Sequence, residues 1–148
     1  MPEVEFTPSH LGLCVTDLAR TMRFYCEGLG FTAAERYELT DTMLPGLDRA
    51  LEVASPVSLV SQMITLGALK IELLAYASPG VHGAPSASRS QLGYTHLSFH
   101  VDDVDAAAAH LVASGGELLP ETRGSLGIPI VFLADPDGAR VELMGKPG

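Results

Sequence analysis

The sequence predicts an α+β fold of two consecutive modules, each reading strand, helix and three further strands. Two observations carry this prediction. The chain repeats itself: Ser-His-Leu-Gly-Leu-Cys-Val-Thr-Asp-Leu at residues 9–18 is answered by Thr-His-Leu-Ser-Phe-His-Val-Asp-Asp-Val at residues 95–104. Each copy also closes on a strand with a Glu between apolar neighbours, Lys-Ile-Glu-Leu-Leu around Glu72 and Arg-Val-Glu-Leu-Met around Glu142.

Leu11, Leu13 and Val15 alternate with His10, Gly12, Cys14 and Thr16, the period of two of a half-buried strand. Leu97, Phe99 and Val101 alternate in the same way with His96, Ser98 and His100. Asp17, and Asp102 or Asp103, stand where an N-cap accepts from the unpaired amides of a helix start. Leu18, Met22 and Tyr25, with Phe24 beside them, supply the apolar stripe of the first helix. Val104, Ala107, Ala108, Leu111 and Val112 supply that of the second. Gly28 and Gly30 end one helix, Gly115 and Gly116 the other. Strands are expected over residues 31–37, then 59–66 and 68–75 as a hairpin turning at Gly67. In the second copy a short strand over 117–119 precedes strands over 128–134 and 139–144, joined by the turn Asp135-Pro136-Asp137-Gly138.

By alternation Ile71 and Leu73 face the core and Glu72 faces away with Lys70 and Leu74; likewise Val141 and Leu143 face the core and Glu142 lies with Arg140 and Met144. Each module therefore offers one His and one Glu on its less apolar face. His10 and Glu72 are 62 positions apart and His96 and Glu142 are 46, so the first copy holds sixteen extra residues. Most of these fall between Leu39 and Ser58. There Thr40-Asp41 suits the cap of a short helix, and Met43, Leu44, Leu47 and Leu51 are spaced to bury one side, as a cover for a site would be. Residues 77–93, rich in Ser, Pro, Gly and Ala, read as the linker between module one (about 7–76) and module two (about 94–146) of a single domain over 1–148.

Composition narrows the function. With 148 residues, 47% hydrophobic and 18% charged, the chain is an ordinary globular domain. A net charge of −9 repels phosphate backbones, which excludes nucleic acid as a partner. No run of about 18 apolar residues is present and the first ten residues lack the basic segment of a secretory signal, so a cytoplasmic protein away from membranes is expected. Cys14 and Cys26, twelve apart, match neither a redox nor a zinc-ribbon spacing and are expected as reduced thiols. His100 shares a face with His96 as a candidate hydrogen-bond donor or substrate contact. His82 and Arg89 read as exposed linker residues, and His110 as a solvated helix residue.

The His-initiated strands, the Asp-capped helix leading to Phe24-Tyr25 and Leu29-Gly30-Phe31, the Asp-Pro-Asp-Gly turn and the two terminal-strand glutamates together resemble the vicinal oxygen chelate superfamily over nearly the whole chain. That superfamily includes glyoxalase I, methylmalonyl-CoA epimerase, extradiol dioxygenases, fosfomycin-resistance enzymes and bleomycin-binding proteins. The resemblance implies paired βαβββ modules forming an open, cup-like curved mixed sheet with helices outside. It also implies a divalent metal ion held by His10, Glu72, His96 and Glu142. Two imidazoles and two carboxylates make a mixed N/O shell suited to Ni, Co, Mn, Zn or Fe(II).

The same resemblance implies an activity. Extradiol-type dioxygenases lack a ligand at the position of Glu72, whereas glyoxalase I carries Glu there and the epimerase typically Gln. Proton movement next to a metal-chelated carbonyl is therefore expected, of the isomerase or lyase kind, with Glu142 or Glu72 as the base. Lys70-Ile71-Glu72-Leu73-Leu74, followed by Ser78-Pro79, and the stretch over 124–133 look similar to epimerase segments. The acidic pair that the epimerase uses as a separate base has no counterpart. The alternatives are a bleomycin-resistance-like protein that binds a small molecule without turning it over, and an Fe(II) dioxygenase. A small-molecule substrate and a homodimer are the partners the resemblance implies.

Overall fold

The computed structural model describes residues 3–146. It contains two four-stranded mixed sheets built to one plan. The first orders its strands β1 (Leu11–Cys14), β4 (Leu69–Ser78), β3 (Ser58–Leu66), β2 (Thr32–Thr40). The second runs β5 (Leu97–Val101), β8 (Arg140–Gly145), β7 (Pro129–Ala134), β6 (Glu117–Ser125). In each, the His-initiated strand lies parallel to the Glu-bearing strand and the remaining pairings are antiparallel. The repeat in sequence is thus a repeat in topology. Among the described residues no helix is long and apolar enough to cross a membrane.

Two compact units divide the chain: one comprises the residues up to Thr16 with Phe31–Val81, the other Asp17–Gly30 with the residues from His82 onward. In the first unit, alternation sets the two faces of the sheet. Ile64, Ile71 and Leu73 are fully buried on one, and Glu72 lies on the other between Gly12 and Met63. Gln62, on the apolar face, resolves its burial by donating to the carbonyls of Ala34 and Met63. Gly67, at φ 57°, makes the tight β3–β4 turn.

The expected cover over residues 39–58 folds differently. Helix α2 is only Leu47–Leu51, with Gly46 rather than Thr40 or Asp41 as N-cap, while Thr40 Oγ1 accepts from the Met43 amide. No α2 residue is buried, and Met43, Leu44 and Leu51 are exposed. A five-residue helix is too short to develop an apolar face.

In the second unit both predicted caps are present. Asp17 accepts from the Arg20 amide at 3.1 Å to start α1 (Leu18–Met22), and Asp103 accepts from the Ala106 amide at 3.0 Å to start α3 (Val104–Ala113). Helix α1 widens into a π-helical stretch, Arg23–Gly28. The wider turn re-aims the stripe, so Thr21, Phe24 and Tyr25 are buried and Leu18 and Met22 only partly so. Helix α3 buries Val104, Ala108 and Leu111, at the spacing of one helix face, but leaves Val112 exposed. Strand β6 runs well past the expected 117–119, through Pro120. Its register shifts between Leu119 and Gly124, and there the Thr122 hydroxyl accepts from the Phe132 amide at 2.8 Å in place of a ladder carbonyl.

The Asp135-Pro136-Asp137-Gly138 turn is held from inside. Asp135 Oδ1 accepts from the amides of Asp137 and Ala139, both at 2.9 Å, and Oδ2 accepts from the buried Tyr25 hydroxyl at 2.8 Å. Burial raises the Asp135 pKa. Burial, and then the Asp135 charge, push the Tyr25 phenol well above its ordinary range.

Candidate active site

Each sheet assembles one His–Glu pair on its polar face, and the parallel pairing explains why. Glu72 sits beside Gly12 on β1 and Glu142 beside Ser98 on β5, two residues after a His in both cases. A side chain two positions away along a strand points the same way, so the imidazole at the strand entrance reaches back to the carboxylate next door. His10 Nε2 lies 3.3 Å from Glu72 Oε1, and His96 Nε2 lies 3.6 Å from Glu142 Oε1. The two carboxylate side chains are 21% and 12% exposed, so both pairs are reachable from solvent.

Supporting contacts recur in the two copies. Behind each imidazole stands the hydroxyl of the preceding residue: Ser9 Oγ at 2.7 Å from His10 Nδ1, and Thr95 Oγ1 at 2.7 Å from His96 Nδ1. Anchoring Nδ1 leaves Nε2 as the outward nitrogen. A serine hydroxyl also donates to each carboxylate, Ser61 to Glu72 Oε2 at 2.6 Å and Ser98 to Glu142 Oε1 at 2.7 Å. Ser61 comes from β3 and is buried, whereas Ser98 comes from β5, so the same support reaches the two glutamates from opposite sides.

The copies diverge around these pairs. Opposite Glu142 on β7 is Phe132, whose ring meets His96 edge-on at 5.2 Å; opposite Glu72 on β3 is Met63. The guanidinium of Arg89 lies over the Phe132 ring, 5.9 Å from its centroid. Arg89 is therefore not the exposed linker residue expected of it. Burial, and then the charge of Arg140, lower its pKa. In the first sheet Tyr76 lies near enough to Cys14 and Glu72 for burial and then their charges to raise its phenol.

The other predicted candidates take lesser positions. His100 Nδ1 is 3.3 Å from the Gly145 carbonyl, and His110 donates to the Gly28 carbonyl at 2.9 Å from an exposed helix face. His82 is exposed. Cys14 and Cys26 form no disulfide, and burial raises the Cys26 thiol. The structure brings together His10 with Glu72 and His96 with Glu142. Among the described residues no group of three or more His, Cys, Asp or Glu is clustered to hold a metal ion. Phe132, Ser61 and Tyr76 were not singled out by the sequence, and Arg89 was read only as an exposed linker residue. The signal for Ser61 is a hydroxyl within an apolar strand.

A profile of the Glyoxalase/Bleomycin resistance protein/Dioxygenase superfamily matches residues 7–143. The chain belongs to this superfamily. Within the glyoxalase superfamily it is 34% identical over 146 residues to 2-epi-5-epi-valiolone epimerase from Actinomyces sp., covering 93% of this chain and 78% of that protein. It is 33% identical over 140 residues to the uncharacterized protein YaeR of Escherichia coli K12, covering 90% and 92% of the two chains. A glyoxalase family protein from Bacillus cereus superposes with a TM-score of 0.83 over 100% of this chain and 99% of its own, at 20% identity. Glyoxalase I from Zea mays gives 0.67 over 94% of this chain and 44% of its own, at 21% identity. The last two likenesses establish the fold.

Proposed function

We propose that this glyoxalase-superfamily chain is an isomerase or lyase that moves a proton on the carbon next to a carbonyl of a small molecule, epimerisation being the favoured form. The observation that carries the reading is the duplicated His–Glu pair, each with a hydroxyl behind the imidazole and another on the carboxylate. That the Actinomyces relative is an epimerase supports the same direction.

The donors suit a divalent cation. Neighbouring ligands about 2.1 Å from an ion lie roughly 3.0–3.4 Å apart in octahedral or tetrahedral geometry. The His–Glu separations of 3.3 and 3.6 Å are close to that. His10, Glu72, His96 and Glu142 would hold it, with a ligand charge of −2 suited to Ni, Co, Mn, Zn or Fe(II). A cation bound there supplies Lewis-acid stabilisation of the negative charge that forms on the substrate oxygen as the α-proton leaves.

Glu142 takes that proton. Its Oε1 accepts from Ser98 and faces His96, while no partner engages Oε2 among the described residues. Glu72 has both oxygens engaged, Oε1 by His10 and Oε2 by Ser61, and is the second carboxylate of the set, so the proton returned to the substrate is the one held on Glu142. Phe132 shields the His96–Glu142 pair from water on one side. A homodimer in the cytoplasm acting on one small substrate completes the reading.

The test is α-proton exchange in deuterated solvent across a panel of 2-epi-5-epi-valiolone, acyl-CoA thioesters and glutathione hemithioacetals. At least one panel member is expected to exchange, and Glu142→Gln should reduce that exchange at least 100-fold with the fold intact. Exchange undiminished in Glu142→Gln would remove Glu142 from the role. Tight binding of a panel member without exchange would place the chain among the superfamily's binding proteins.

A further inference from the structure

We propose that Arg89 and Arg140 form an anion subsite beside the His96–Glu142 pair, which takes a carboxylate or phosphate group of the substrate. The assignment to substrate rests on the function proposed above; the anion site itself rests on the arginines.

Nine lysines and arginines serve a chain with eighteen acidic residues, so a cation without a carboxylate needs a reason. Arg20, Arg23, Lys70, Arg123 and Lys146 each have a carboxylate oxygen within 4 Å. Of the others, Arg36 and Arg49 are exposed. Arg89 and Arg140 are half-buried, and no carboxylate answers either among the described residues. The first copy supplies an internal control. Lys70 stands two residues before Glu72 just as Arg140 stands two before Glu142, yet Glu35 pairs with Lys70 at 3.4 Å.

The donors of the two arginines are only partly used. Arg89 Nη2 donates to the Ser86 carbonyl at 2.6 Å, which fixes the side chain over Phe132, but its Nε is shut off from solvent with no acceptor. Arg140 Nη1 donates to the Gly138 carbonyl at 2.8 Å. Nη1 of Arg89 and Nη2 of Arg140 carry no hydrogen bond among the described residues, and two half-buried guanidiniums close enough to feel one another's charge are unfavourable until an anion joins them. The planar fork of N–H groups matches the oxygens of a carboxylate or phosphate. Phe132 contacts both Arg89 and His96, so an anion held there lies about one aromatic ring from the reacting end of the substrate.

The probe is inorganic phosphate, titrated calorimetrically with and without EDTA into wild type, Arg89→Met, Arg89→Lys, Arg140→Met and Arg36→Met. Saturable binding is expected to survive EDTA, to weaken about tenfold or more in both Met variants and less in Arg89→Lys, and to persist in Arg36→Met. No saturable binding in wild type, binding lost to EDTA but indifferent to the arginines, or an equal loss in Arg36→Met would each overturn the site. With an acyl-CoA thioester or a glutathione hemithioacetal, the panel members that carry phosphate or carboxylate groups, the Met variants should raise KM about tenfold, and exchange confined to the uncharged 2-epi-5-epi-valiolone would overturn the substrate assignment. An unchanged KM would overturn the substrate assignment. Metal content is the independent readout. Phosphate binding that fails while metal is retained sinks the arginine site alone; phosphate binding that persists in a chain unable to hold metal sinks the cation reading alone.

Discussion

His10 and His96 each follow a hydroxyl residue that holds Nδ1 at 2.7 Å, and this detail decides which nitrogen is presented. A hydroxyl held against Nδ1 fixes the ring plane and leaves Nε2 as the nitrogen turned toward the carboxylate. Thr95→Val keeps the shape of the residue and deletes the anchor. It is expected to weaken divalent-metal affinity about 10-fold by competition with a chelating dye, while leaving the melting temperature nearly unchanged. An affinity equal to wild type would show that the ring is positioned by Phe132 alone. The two histidines and two glutamates were legible because they sit at matching points of a repeat. Arg89 was not, since a linker of small residues gives no periodicity from which to infer that one long side chain folds back over an aromatic ring.

Between elements, the contact most open to test joins the π-helical stretch to the Asp-Pro-Asp-Gly turn through Tyr25 and Asp135. Tyr25→Phe leaves a buried carboxylate oxygen without its donor and is expected to cost about 1–3 kcal/mol in urea unfolding at pH 7. Because the Tyr25 pKa is raised in the folded chain, its contribution is present below the ordinary tyrosine pKa near 10 and is lost as pH rises beyond it. Wild type should therefore lose stability from about pH 10 upward more steeply than Tyr25→Phe, as read by unfolding at pH 8 and pH 10.5. Parallel slopes would show that the phenol does not titrate as a buried group. Packing here is equally tight: a Cβ at Gly116 would lie 2.7 Å from Phe24 Cε2 and 3.0 Å from the Leu111 carbonyl oxygen. Gly116→Ala should cost roughly 1–3 kcal/mol, and a neutral result would mean that the Phe24 ring yields.

Element existence was legible, element extent less so. Strict alternation marked β1, β5 and the two Glu-bearing strands, and the Asp caps marked α1 and α3. Strand β6 outran its expected end because the Thr122 hydroxyl carries the pairing past Pro120, a tertiary substitution with no local signature. The first helix shifted its buried face because a π-turn lets Phe24 and Tyr25 both point inward. The insert failed as a buried helix because apolar spacing alone does not guarantee a surface to pack against.

For the whole molecule, the repeat is the organising fact: two sheets of identical order, each carrying a His–Glu pair at its parallel seam. The proposed chemistry asks more of the two pairs than their separate existence, namely that they serve one cation. Metal equivalents per chain, counted by plasma mass spectrometry after saturation and desalting, test this most directly in wild type, His10→Ala and His96→Ala. Four donors to one ion predict about one equivalent in wild type and near zero in each variant. About two equivalents in wild type falling to about one in each variant would mean independent pairs, and less than about a tenth of an equivalent throughout would mean no metal at all; either result contradicts the account.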